Sequence, residues 1–258
     1  MNIGVSTACF YPMETEKALA VLAENGIKTV EIFFNANCEL DGDIYGEIKR
    51  IVKENDITLL SIHPYTSAIE TMTLFGDYPR RLTEIMDTYN RYFEIMNELG
   101  ARIFVLHGAL KSARLTPELY LERYSMLFEL GKRHGITVAQ ENVSYCKSGE
   151  LDFLKNMRSQ LGNDCAFVLD VKQALRSGLD VFGIMDVMGG RLAHCHLSDN
   201  TPECDCIPVG KGRMDFGGFV QKLKSMNYGG GIILELYSSG FENLSELTES
   251  VSYMKGYF

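Results

Sequence analysis

Eight short runs rich in β-forming apolar residues alternate with longer amphipathic stretches, and this alternation limits the fold more than any other feature. The runs are Ile3–Ser6, Thr29–Phe33, Thr58–His63, Arg102–His107, Thr137–Glu141, Ala166–Asp170, Leu192–His196 and Ile232–Glu235. Between and after them, helices are predicted at Glu14–Asn25, Asp43–Asn55, Arg80–Leu99, Pro117–His134, Glu150–Leu161, Val171–Met188, Phe216–Met226 and Asn243–Lys255. Thr116 followed by Pro117 reads as an N-cap and a first helical residue, and Gly26, Gly100, Gly135 and Gly162 fall where helices would stop. No Pro- or Ser-rich linker divides the chain. Eight strand–helix pairs therefore predict an α/β fold, a single (β/α)8 TIM barrel over residues 1–258. An open sheet of eight strands would also need a switch point.

The same sequence narrows the partners. With 25 basic and 34 acidic residues the net charge is −9, which repels phosphate backbones and argues against nucleic acid. The N-terminus lacks the basic and long apolar regions of a secretory signal, and no run reaches the length of a membrane span. The seven cysteines, an odd and scattered set, fit reduced thiols and a cytoplasmic location better than a disulfide framework. Cys204 and Cys206 lack the second pair that a thiolate metal site would need.

The informative feature is where polar residues fall. Six runs end on His63, His107, Glu141, Asp170, His196 and Glu235, and the second carries Glu31 in its middle. Taken singly, a histidine ending an apolar strand is more often a hydrogen-bonded core residue. A carboxylate there more often caps the next helix, as Asp170 could. Taken together, six such residues at the C-terminal ends of barrel strands would meet at one mouth, where barrels build their sites.

Glu141, Asp170, His196 and Glu235 would present three carboxylates and one imidazole, a set suited to Mn²⁺, Mg²⁺ or Co²⁺ and less selectively to Zn²⁺. If His63 and His107 also face inward, the site becomes richer in nitrogen and zinc gains ground. A metal chelated by a carbonyl and its neighbouring hydroxyl would stabilise the enediolate formed when the intervening carbon loses a proton. Glu141 and Glu235 are the candidates to remove and return that proton.

The segments LDVKQALRSG, HCHLSDN, PVGKGRMDF and ILELY, with QENV around Glu141, resemble the sugar phosphate isomerase/epimerase family with xylose-isomerase-like barrels, over essentially the full chain. The separations of 29, 26 and 39 residues between Glu141, Asp170, His196 and Glu235 are similar to those of its ketose 3-epimerases. The resemblance implies a divalent metal held by these four residues, with Glu141 and Glu235 as acid/base catalysts. It matches His63 and His107 to histidines that bind a second metal in some members and substrate in others.

Two departures stand out. Gln173 occupies the place of a frequent histidine three residues after the strand-six Asp. The segment Ser198–Pro202 lacks the arginine found beyond the strand-seven histidine of ketose epimerases. Lys172 and Gln173 are accordingly expected to bind a substrate hydroxyl or carboxylate. Lys211 and Arg213, in a glycine turn ahead of a helix, are candidates for an anionic group, although Asp215 as an N-cap explains that turn equally.

The expected partner is a small sugar or sugar phosphate, with neither nucleic acid nor membrane, and a homo-oligomer is admitted because such barrels often pair. The competing reading is an inosose-type dehydratase, a lyase that begins with the same proton abstraction. An endonuclease IV-like zinc hydrolase is disfavoured by Gln173, by Cys204-Asp205-Cys206 where a histidine would be needed, and by the acidic charge. A non-catalytic sugar-binding relative would need neither glutamate.

Overall fold

A computed structural model describes residues 1–258. Eight parallel strands close on themselves in chain order: β1 (Ile3–Ser6), β2 (Thr29–Phe33), β3 (Thr58–His63), β4 (Ile103–Leu106), β5 (Thr137–Glu141), β6 (Phe167–Asp170), β7 (Leu192–Leu197) and β8 (Gly231–Leu234). Pairing of Ile3 with Ile232 joins the first strand to the last. A closed parallel sheet leaves no free edge, and the helices cover its outer face, so its strands can be apolar almost throughout.

The helical layer follows the apolar periodicity with one correction. The stretch predicted as Val171–Met188 is two helices, α6 (Val171–Arg176) and α7 (Val181–Met188). Gly178 takes a left-handed φ of 66°, which ends the first helix, and the Asp180 carboxylate accepts the Gly183 N–H to start the second. Thr116 caps α4 (Pro117–Arg133) through the Leu119 N–H at 3.3 Å. No helix is long and apolar enough to cross a membrane, and all seven cysteines are free thiols.

Two register shifts set the levels at which polar side chains meet inside the barrel. Val30 pairs with Leu59 but Glu31 with Ser61, so the ladder passes over Leu60 and brings Glu31 opposite Ser61. Phe167 pairs with Leu192 but Val168 with His194, which brings Asp170 opposite His196.

Candidate metal centre

Alternation along β7 turns His194 and His196 to the same inward face. His196 sits level with Asp170 on β6, and Glu141 ends β5 beside them. Glu235 lies one residue beyond β8, its N–H held by the Leu197 carbonyl at 3.1 Å. His196 Nδ1 is 3.2 Å from Glu141 Oε1 and 3.2 Å from Glu235 Oε2. With Asp170, these side chains bring one potential ligand atom each within 4.8 Å of one another.

The neighbours of Glu141 brace it. Asn142 donates to the Asp170 carbonyl at 2.9 Å and accepts the Asp170 N–H at 2.7 Å, which ties the ends of β5 and β6 together. The Gln140 amide donates to the Leu106 and His107 carbonyls at 3.1 and 2.9 Å and so reaches β4.

Behind His196 lies a partner that strand-end reasoning did not single out. Glu31 Oε2 is 2.9 Å from His196 Nε2 and accepts the Ser61 hydroxyl at 2.7 Å, and Ser61 in turn is 3.1 Å from His194 Nε2. The sequence signals were a lone carboxylate inside an apolar run and the His-x-His spacing. Burial alone would raise the Glu31 carboxyl, but His196 and His194 hold it well below the usual range. Burial opposes a proton on His196, yet Glu31, Glu235 and Glu141 favour it and raise that imidazole well above its ordinary value.

His63 and His107 join the same centre through Glu141. His107 Nε2 is 3.0 Å from Glu141 Oε2 and 2.8 Å from His63 Nε2, and His63 Nε2 is 3.8 Å from that oxygen. Glu141 thus presents one oxygen to each cluster. Phe33 stacks on His63 with ring centres 4.3 Å apart. Burial, and then His63, lower the His107 imidazole, favouring the neutral form that binds metals.

These residues fit a divalent metal. Glu141 Oε2 and Asp170 Oδ2 are buried without an aligned hydrogen bond, although His107 and Lys172 stand near them. Buried carboxylate oxygens whose neighbours are ion-pair partners and not aligned donors are available to a ligand. The other oxygen of Asp170 accepts the Gln173 N–H at 2.8 Å, so capping and ligation use different atoms of one side chain.

A cavity of about 280 Å³ opens onto Glu141 and Glu235. Lys172 and Gln173 line it, together with Phe33, Tyr145 and Tyr237. Gln173 Oε1 accepts from the Ser144 N–H and hydroxyl at 3.0 and 2.8 Å. Of the other aromatics near strand ends, Phe34 is fully buried, Phe10 packs on Phe241, and Tyr65 lies near Tyr92. A larger cavity of about 580 Å³ lies at the opposite end of the barrel, around Asn2, Thr58 and Gly231. It holds none of the convergent carboxylates, so size alone does not mark the site.

Lys211 and Arg213 do not line the site cavity. Lys211 pairs with Glu246 at 2.9 Å, and Arg213 Nε donates to Asn200 Oδ1 at 3.2 Å beside a separate cavity. The anion that their glycine turn receives is the chain's own. Asp199 accepts the N–H groups of Gly210, Gly212 and Met214 at 3.1, 2.8 and 3.1 Å.

The profile of the xylose isomerase-like TIM barrel family matches residues 19–257. An uncharacterized protein of Mycobacterium leprae is 22% identical over 286 residues, covering 100% of this chain and 98% of that protein. The solved structure of a D-tagatose 3-epimerase-like protein superposes with a TM-score of 0.81 at 17% identity, covering 100% of this chain and 97% of its own. For 3-keto-D-glucoside 4-epimerase of E. coli the TM-score is 0.77 at 17% identity, with 99% of each chain covered. At such identity these likenesses speak for the fold, whereas the profile match spans nearly the whole sequence. The chain belongs to the xylose isomerase-like TIM barrel family.

Proposed function

We propose that this protein is a divalent-metal-dependent isomerase or epimerase of a small sugar. The observation that carries the reading is that Glu141 at the end of β5 and Glu235 just past β8 approach one imidazole nitrogen of His196 at 3.2 Å each beside an open cavity. Glu141, Asp170, His196 and Glu235 would hold the metal, with His63 and His107 completing a second position on Glu141. Bound there, the cation supplies Lewis-acid polarisation of a carbonyl beside the carbon that loses its proton.

The chain's own groups supply the rest. Burial works against charge on Glu235, but Lys172 and His196 bring its carboxyl down to about 2, so it stands ionised. Glu141 is likewise held well below the usual range, with His107 and His196 overcoming its burial. One carboxylate takes the proton and gives it back to the neighbouring carbon. For epimerisation, the other instead delivers to the opposite face a proton it has first taken up from water. Lys172 and Gln173, which line the cavity, would meet substrate hydroxyls, and Phe33, Tyr145 and Tyr237 give it an aromatic wall.

The charge arrangement supports an unphosphorylated substrate over a sugar phosphate. Lys172 is the one cationic Lys or Arg lining the cavity, and Arg176 beside it is held by Asp205. The reading is tested by incubating metal-loaded protein in D₂O with ketoses, aldoses, their phosphates and inososes. Deuterium entering beside the carbonyl with sugar returned as an isomer supports the proposal. Loss of water from the product points to the dehydratase instead. No exchange with any of them under Mn²⁺, Co²⁺, Mg²⁺ or Zn²⁺ overturns both.

A further inference from the structure

One cation stands among the carboxylates that would receive the metal. Lys172 Nζ lies 3.2 Å from Asp170 Oδ2 and donates to Glu235 Oε2 at 3.3 Å. Its side chain is 5% exposed, and the ammonium lies 5.1 Å from the centre of the Tyr237 ring. The residue sits in the first turn of α6, where free backbone N–H groups disfavour a positive charge. Local helix electrostatics therefore do not explain its place, whereas the carboxylates do. Of the three carboxyl groups Glu141, Asp170 and Glu235, Lys172 stands against two.

Resting on the reading of these residues as a metal centre, we infer that Lys172 is an internal counter-ion. It competes with the metal for Asp170 and Glu235 and thereby sets how tightly the centre holds it. An ammonium within reach of two of the four ligands repels an incoming divalent cation. At this depth the repulsion is weakly screened by salt. Once the metal takes those oxygens, the ammonium is left facing the cavity, where a substrate oxygen is the available partner. Lys172 would then lower metal affinity in the free protein and help retain substrate in the loaded one.

The alternative is that Lys172 braces the ligands, in which case its loss weakens binding. Calorimetric titration of Mn²⁺ and of Co²⁺ into chelator-treated full-length protein separates the two. Lys172→Met and Lys172→Gln, which remove the charge, are expected to bind about tenfold or more tightly than the unaltered chain. Lys172→Arg, which keeps it, is expected to stay close to the unaltered chain. The difference should persist at high salt. Unchanged or weaker binding in the uncharged variants overturns the inference and leaves the metal centre standing. Failure of the unaltered protein to bind either ion overturns the metal reading itself. Should Lys172→Met lose cooperative thermal unfolding, Lys172→Gln carries the comparison.

Discussion

Glu31 Oε2 stands 2.9 Å from Nε2 of His196, across the ring from the nitrogen that Glu141 and Glu235 approach. A carboxylate on the far nitrogen fixes the tautomer and orientation of the ring and makes the near nitrogen a stronger ligand. Glu31→Gln keeps the shape and removes the charge. It is expected to weaken Mn²⁺ binding by about 10–100-fold, measured by calorimetry, while far-ultraviolet circular dichroism stays native. Unaltered affinity would detach Glu31 from the centre.

The two clusters that share Glu141 differ in chemistry. One offers three carboxylates and an imidazole, the other two imidazoles and a carboxylate. Nitrogen-rich sets favour zinc, whereas magnesium prefers oxygen. Elemental analysis after saturation is expected to give about two Zn²⁺ per chain but about one Mg²⁺. His107→Ala should reduce the zinc to about one and leave magnesium alone. Equal loss of both metals in that variant would refute separate sites.

Much of the fold, and the convergence of the strand-end residues, was legible in the sequence, for identifiable reasons. Strands buried on both faces leave continuous apolar runs, so β1, β2, β3 and β5 begin and end where the sequence placed them. The convergence of strand-end residues follows from closure alone, which is why the meeting of His63, His107, Glu141, Asp170, His196 and Glu235 at one mouth could be expected without a structure. Glu31 was not legible as their partner, because its place facing Ser61 depends on the ladder passing over Leu60, and such an irregularity has no compositional mark. Lys211 and Arg213 were left open between two readings for a related reason. Nothing in a glycine turn says whether its anion is a ligand or, as here, the Asp199 side chain.

Gly108, directly after His107, shows how tightly the mouth is built. Its φ is 89°, its N–H is accepted by the buried Glu70 carboxylate, and a Cβ there would fall against the Tyr120 hydroxyl. That hydroxyl donates to Gln140 Oε1 at 2.7 Å, and Gln140 braces the ends of β4 and β5. Gly108→Ala combines a left-handed backbone with a clash and is expected to cost about 2–4 kcal/mol. Urea denaturation would read this as a fall in midpoint, and an unshifted midpoint would mean that the turn relaxes freely.

Glu235 is the proposed base with the greater access, its side chain 13% exposed against 2% for Glu141. Glu235→Gln keeps one ligand oxygen but removes the proton acceptor. Deuterium exchange into the responding sugar is expected to fall by about 10²–10⁴-fold, with the thermal midpoint little changed. Near-normal exchange would assign the proton transfer elsewhere and leave Glu235 a ligand only.

Metal binding should also depend on pH with a definite sign. Burial, with Glu141 and Glu235 adding to it, raises the Asp170 carboxyl to about 7 despite Lys172. His196 is raised well above its ordinary value by the carboxylates around it. Both must be free of the proton to ligate, so proton and metal compete. Below about 7, Asp170 releases a proton when the ion enters, and the raised His196 adds to the competition. Above it, Asp170 is already ionised and contributes none. Affinity for Mn²⁺ is therefore expected to rise with pH, more steeply below about 7 than above it. Titrations in buffers of different ionisation enthalpy count the protons released. Affinity that is flat from pH 6 to 8 (the ordinary titration range of a histidine), or that rises on acidification, would exclude Asp170 and His196 as ligands.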